Sequence, residues 1–257
     1  MLFKIPVRHS QLLQEIVERI NQDEELLQLW RCANMNSVDR MHYPDHGQVH
    51  IKIVANMALK MLRILIDAGV EMNVVTDYGL TNEDAEVIVV LAACLHDLGI
   101  SVHRDNHELY SIGLANLKLK DLLDGLYDVP QRTIMVSEVL HAISAHHWEQ
   151  SCLTVEAGIV KVADALDMTR GRSRIPFEAG VTNIHSVSAA AVDRVRVSRG
   201  VEKPVRVEII MSNSAGIFQV DELLKRKLAN STIAPYVEVV AHIEGEAEKR
   251  LVELYTI

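Results

Sequence analysis

A helix that is apolar on nearly every side should not end in two ionisable residues, yet this chain does so at His96-Asp97. Val87–Leu95 is almost wholly apolar and predicts a helix buried on most of its faces. His96 and Asp97 follow at once, within Leu-Ala-Ala-Cys-Leu-His-Asp-Leu-Gly-Ile. An imidazole and a carboxylate in such a place cost several kcal/mol unless both are paired or bind a metal. Nine of the twelve histidines fall between His42 and His147, many as close pairs: His46/His50, His103/His107 and His146/His147. That density points to a metal centre rather than to scattered surface histidines.

The composition suits a helical core. Hydrophobic residues make up 49% of the 257 and aromatics only 4%, so Leu, Ile, Val, Ala and Met must fill the interior. A net charge of −9 argues against broad nucleic-acid binding, which relies on Lys and Arg, but leaves room for a local basic pocket. The three cysteines form no Cys-x-x-Cys pair and are odd in number, so reduced thiols in a cytoplasmic protein are expected. The first residues lack a signal-peptide apolar region. No apolar run approaches the roughly 20 residues needed to span a bilayer.

Periodicity predicts six helices in the first two thirds of the chain. They cover residues 10–30, with Ser10 as N-cap, then Asp45 to Gly69, and Thr81 to Gly99. Three more run from about Asn106 to Asp124, from Pro130 to about His147, and from Thr154 through Asp167 to Gly171. Residues 34–44 read as a polar loop. The pattern then changes to alternation in Asp193–Ser198, Val205–Met211 and Tyr236–Ile243, with a short helix at Asp221–Ala229. The expected fold class is therefore mainly α, with a helical domain over 1–185 and a small C-terminal α/β subdomain over 186–257. The small unit reads equally as a regulatory module, a dimerisation surface or a lid.

Three helices bring candidate ligands. His46 and His50 are four apart and share a face. His96 and Asp97 end a second helix, and Asp164 lies among apolar residues on a third. Imidazole and carboxylate ligands together suit Mn, Fe, Ni, Co or Zn, and Mg less well. A buried polar network without metal is the competing reading.

The order His50, His96-Asp97, Asp164 resembles the signature of the HD-domain metal-dependent phosphohydrolases. The local contexts agree. His50 leads into Ile-Lys-Ile-Val-Ala, His96-Asp97 continues Leu-Gly, and Asp164 sits in Ala-Asp-Ala-Leu-Asp. The resemblance covers about residues 35–175. It implies an HD-type helical bundle around the metal, and hydrolysis of phosphate esters or anhydrides by a metal-bound hydroxide that Asp97 orients. It also implies a place for a second ion, with His107 and either His146 or His147 as ligands and Asp97 bridging; hydrogen bonding to the ligands is the alternative role. His46-Gly-x-x-His50 is similar to the cyclic-nucleotide phosphodiesterase branch, which makes His46 the candidate general acid. The Gly-Tyr-Pro motif of the branch that cleaves cyclic di-nucleotides is replaced by His147-Trp-Glu-Gln-Ser.

Arg170, Arg172 and Arg174 follow the last metal helix in a Gly/Ser loop, and Lys161 stands one turn before Asp164. They are candidate clamps for substrate phosphate, against a solvated basic loop as the plainer reading. Asp167 is a candidate for holding a ligand or Arg170, or for a surface or capping role. The expected function is a metal-dependent phosphohydrolase with one or two divalent ions per chain, acting on a nucleotide or other small phosphate ester. The alternative is a regulatory protein that binds metal or nucleotide without turnover. A homodimer is expected only on the general frequency of symmetric pairs.

Overall fold

The computed structural model describes residues 2–7, 10–171, 188–244 and 254–256. Among the described residues, eight helices run up to residue 165: α1 Gln11–Gln22, α2 Glu24–Asn34, α3 Gln48–Asp67, α4 Asn73–Tyr78, α5 Asn82–Leu95, α6 His107–Leu122, α7 Val129–Ala145 and α8 Val155–Ala165. A π-helical turn, Met35–Arg40, extends α2 into the segment expected to be a loop. The fold class is as expected, mainly α with a small C-terminal α/β unit.

Helix α5 forms the axis of the bundle. Every residue from Val87 to Leu95 is buried, with α3, α7 and α8 packed around it. Its start is fixed by a reciprocal cap. The Thr81 hydroxyl accepts from the Asp84 N–H, and the Asp84 carboxylate accepts from the Thr81 N–H. Its end is fixed by Trp30, whose Nε1–H donates to the Cys94 carbonyl at 2.8 Å.

The helix expected over 10–30 is in fact two. Asp23 adopts an extended backbone (ψ 91°), and its carboxylate accepts from the Leu26 N–H, so it ends α1 and caps α2. The buried ammonium of Lys118 on α6 bonds the same carboxylate at 2.8 Å and Glu25 at 2.6 Å. Helix α4, absent from the sequence expectation, owes its first turn to a distant residue. The buried Glu156 carboxylate on α8 accepts from the N–H groups of Asn73 and Val74, and Gly79 closes α4 at φ +68°.

The C-terminal unit is a four-stranded sheet in the order β1-β2-β3-β4, one strand more than expected. Strands β1 (Val192–Arg199) and β2 (Val205–Met211) pair antiparallel. Strands β2 and β3 (Val237–Ile243) are parallel, joined through a helical run over 217–229, here α9. The short β4, Leu254–Thr256, lies antiparallel to β3. Strands β1 and β2 contact α3, and α9 contacts α8. One continuous hydrophobic cluster runs from Phe3 through the helices to Ile243. No helix among the described residues is long and apolar enough to cross a membrane. The expected boundary near residue 185 falls outside the described residues.

Candidate metal centre

Five helix segments place one side chain or more at the centre of the bundle. His50 comes from the first turn of α3, His96 and Asp97 from the end of α5, His107 from the start of α6, and His146 from the end of α7. Asp164, on the last turn of α8, completes the set. His50 and His96 are fully buried, and Asp97, His107 and His146 nearly so.

The Leu-Gly that follows the doublet has a steric reason. Helix α6 begins directly over Gly99, where a Cβ would sit 2.0 Å from the His107 carbonyl oxygen. The Gly99 N–H donates to the Ser111 hydroxyl at 2.8 Å. Glycine at 99 therefore lets His107 approach Asp97.

The outer nitrogen of each ring is held from behind. His96 Nδ1 lies 2.9 Å from the Ala93 carbonyl and His146 Nδ1 2.6 Å from that of Ile143. His50 Nδ1 bonds Asp167 Oδ2 at 2.7 Å. These acceptors place the proton on Nδ1 and turn the Nε2 lone pair inward, as in rings that ligate metals. His107 Nδ1 is shared by the Arg104 carbonyl (3.0 Å), Glu108 Oε2 (3.3 Å) and the Arg104 guanidinium (2.9 Å).

Asp97 stands between two imidazole pairs. Its Oδ2 is 3.3 Å from His50 Nε2 and 3.2 Å from His96 Nε2, which are themselves 3.3 Å apart. Its Oδ1 is 3.3 Å from His107 Nε2 and 3.9 Å from His146 Nε2, again with 3.3 Å between the two rings. Asp164 Oδ1 lies 3.3 Å from His50 Nε2 and 3.7 Å from His96 Nε2. Two ligands each about 2.1 Å from one ion are separated by roughly 3.0–3.4 Å at right-angled to tetrahedral geometry. The residues therefore fit a divalent ion. His50, His96 and Asp97 form one compact donor triad, Asp97, His107 and His146 a second, and His96, His146 and Asp164 a third that overlaps both.

The electrostatics demand positive charge. Burial raises the Asp97 carboxyl, but His96 and the bonds from His107 and His50 outweigh it and hold the group well below the usual carboxylate range. Asp164 behaves alike, with Lys227 the largest opposing influence to burial. Burial works against a charged His96 ring, yet Asp97 and Asp164 prevail and raise it to about 9. Burial, with the charges of His96 and Lys227, pushes His146 well below the usual histidine range.

Other expected site residues lie elsewhere or beside the cluster. His46 is buried with its ring centroid 5.4 Å from that of His50, and its Nδ1 is 2.7 Å from the Pro44 carbonyl. His147 does not join the cluster. It is partly exposed, lies against Trp148 (5.9 Å between ring centroids), and its Nδ1 accepts from the Glu149 N–H. Lys161, expected at the phosphate, is fully buried and donates instead to the backbone carbonyls of Gln150 and Asn230. Its side of α8 faces the loop that follows α9. Arg170 is ion-paired with Asp193 beside the sheet. Arg172 and Arg174 lie outside the described residues. The sequence reading missed Lys227 of α9, whose ammonium donates to Asp164 Oδ2 at 2.5 Å. The basic run Lys225-Arg226-Lys227 in an acidic chain was the available signal.

Residues 48–169 match the HD domain family. Over 231 residues the chain is 45% identical to a protein of Methanocaldococcus jannaschii described as uncharacterized, covering 90% of this chain and 89% of that one. No solved structure matches. The chain belongs to the HD-domain metal-dependent phosphohydrolase superfamily.

Proposed function

We propose that the protein hydrolyses a small phosphate ester, nucleotides included, with one or two divalent ions at this centre. The observation that carries the reading is the Asp97 carboxylate between two pairs of imidazoles, one pair at each oxygen. A first ion would be held by His50, His96, Asp97 and Asp164, and a second by Asp97, His107 and His146. Mn, Fe, Ni, Co or Zn suits that donor set, and Mg less well. Such an ion supplies Lewis acidity toward a phosphoryl oxygen and acidifies a coordinated water.

The protein's own groups do the rest. Asp97 orients the attacking water, and Asp167 keeps the His50 ring turned inward. The water gives up one proton to solvent, and its oxygen bonds to phosphorus as the bond to the leaving oxygen breaks with its electron pair. His46, adjacent to His50, gives that oxygen its proton. The buried position of the ligands keeps bulk water from competing for the ion.

The test is elemental analysis of protein purified without chelator or a metal-binding tag, followed by a panel of nucleotides and simple phosphate esters. Two ions per chain bring His107 and His146 into the ligand set, and one ion restricts it to the four-residue site. Asp97→Asn is expected to abolish turnover while far-UV circular dichroism stays as in the wild type. Activity retained in that variant defeats the mechanism. Tight nucleotide binding without phosphate release across the panel replaces the hydrolase with a regulatory binding protein.

A further inference from the structure

Among the described residues, Lys227 is the lysine or arginine that reaches a carboxylate of the cluster, and it comes from outside the stretch matched by the HD family. An ammonium carries three N–H donors. One goes to Asp164 Oδ2, and no other described group accepts from Lys227. The side chain is 15% exposed, so the remaining donors can meet a ligand arriving from solvent.

Its position is held firmly. The Asn230 carbonyl, just past α9, accepts from the Cys152 N–H (3.3 Å) and from Lys161 (3.4 Å). The Asn230 amide donates to the Trp148 carbonyl at 2.9 Å, and the Arg226 guanidinium lies over the Trp148 ring, 5.7 Å from its centroid. Thr232 donates to the Thr154 carbonyl at 2.7 Å. This close approach depends on Gly158, where a Cβ would meet the Thr232 hydroxyl at 2.4 Å.

With a divalent ion in place, the inward-facing groups of the cluster would be acceptors: ring lone pairs and carboxylate oxygens. They offer nothing to the oxygens of an anion. A divalent ion takes one or two of those oxygens, and the others need N–H donors. We infer that Lys227 binds a non-bridging phosphoryl oxygen of the substrate, with Asp164 holding the ammonium in place. The C-terminal unit thereby forms a wall of the site and supplies the phosphate clamp that the sequence suggested for Lys161 and Arg170. The inference rests on the hydrolase reading for its substrate, but its test does not need turnover.

Inorganic phosphate is the probe, titrated calorimetrically into the full chain loaded with Mn²⁺, with Mn²⁺ content measured for each variant. Lys227→Met is expected to keep the metal and to weaken phosphate binding at least about tenfold, the loss of one hydrogen bond to a charged group. Lys227→Arg should restore most of the affinity. For any ester that is turned over, Lys227→Met should raise KM more than it lowers kcat. Lys227→Gln, neutral but still able to bond Asp164, repeats the test should the Met variant misfold. Unchanged phosphate affinity in the neutral variants, loss of Mn²⁺ from them, or no phosphate binding by the wild type overturns the inference. Phosphate binding that depends on Lys227 in a protein that hydrolyses no ester defeats the hydrolase reading and leaves this one standing.

Discussion

Buried charge appears in two forms in the helical part of this molecule. Between α3 and α5, Arg63 meets Glu86 through two hydrogen bonds of 2.6 and 2.9 Å and also donates to the Pro6 carbonyl. Between α6 and the start of α2, Lys118 meets Asp23 and Glu25. Each of these cations has its carboxylate, so the groups close on themselves and hold helices together. At the centre of the bundle the count is uneven. Acceptors converge from α3, α5, α6, α7 and α8, and Lys227 is the cation brought against their carboxylates. The contrast teaches that burial of charge does not by itself mark a site. A site is marked where the buried groups need a partner that the chain does not fully supply.

Two substitutions should separate these forms. Glu86→Ala leaves the Arg63 guanidinium buried without its carboxylate, and is expected to cost about 3–5 kcal/mol of stability. Metal affinity of the folded fraction should not change. Chemical denaturation and metal titration of the same sample check both halves. A loss below about 1 kcal/mol would mean that the pair behaves like a surface ion pair, and the comparison would lose one side. Asp167→Ala acts in the opposite sense. It removes the acceptor behind His50 and should lower metal affinity about 10–100-fold, the usual effect of losing such a support. The metal-free protein should unfold at nearly the wild-type denaturant concentration. Unchanged metal affinity would take Asp167 out of the centre.

The same contrast explains what the sequence could reveal. Helix α5 and its doublet were legible because an unbroken apolar run is a local signal, and an ionisable pair at its end contradicts that signal. The convergence of His50, His96, Asp97 and Asp164 followed from spacing within helices and from family resemblance. The choice of His146 over His147 did not, because both end α7 and differ only in direction. His146 continues the helical backbone and turns its Nδ1 to the Ile143 carbonyl, whereas His147 turns toward Trp148. The break at Asp23 depends on Lys118, 95 residues away, and the start of α4 on Glu156, 82 residues from Val74. Lys161 is one turn from Asp164, as expected, but that turn faces the loop after α9. Lys227 became visible only once α9 was packed against α8. Local pattern thus revealed the residues that converge, and long-range packing decided what surrounds them.

A third cluster, at the middle of α7, offers the smallest and most discriminating test. Glu138 of α7 is buried near Glu156 of α8, with Tyr78 and Asp77 of α4 beside it. Tyr78 opposes the rise of the Glu138 pKa, but Glu138 Oε2 has no hydrogen-bond partner among the described residues. Burial and then the charge of Glu156 raise the Glu138 pKa above the ordinary 4.5. Burial raises Glu156 as well, although the N–H groups of Val74 and Asn73 oppose it. A carboxyl with a raised folded pKa binds its proton more tightly in the native state than in the unfolded one. Its contribution to stability is full below 4.5 and is lost as pH rises through the raised value. Glu138 should therefore contribute a loss of stability as pH increases above 4.5, opposed by His146, whose folded pKa is lowered. Glu138→Gln keeps the shape, removes the charge and should flatten that part of the profile, with a slightly higher unfolding midpoint at neutral pH. Denaturation at a series of pH values decides the matter. A variant profile parallel to the wild type would mean that Glu138 is ionised at little cost. Burial of an acid beside another acid would then be tolerated here without any cation, and the uneven balance at the bundle centre would lose its force as a sign of metal.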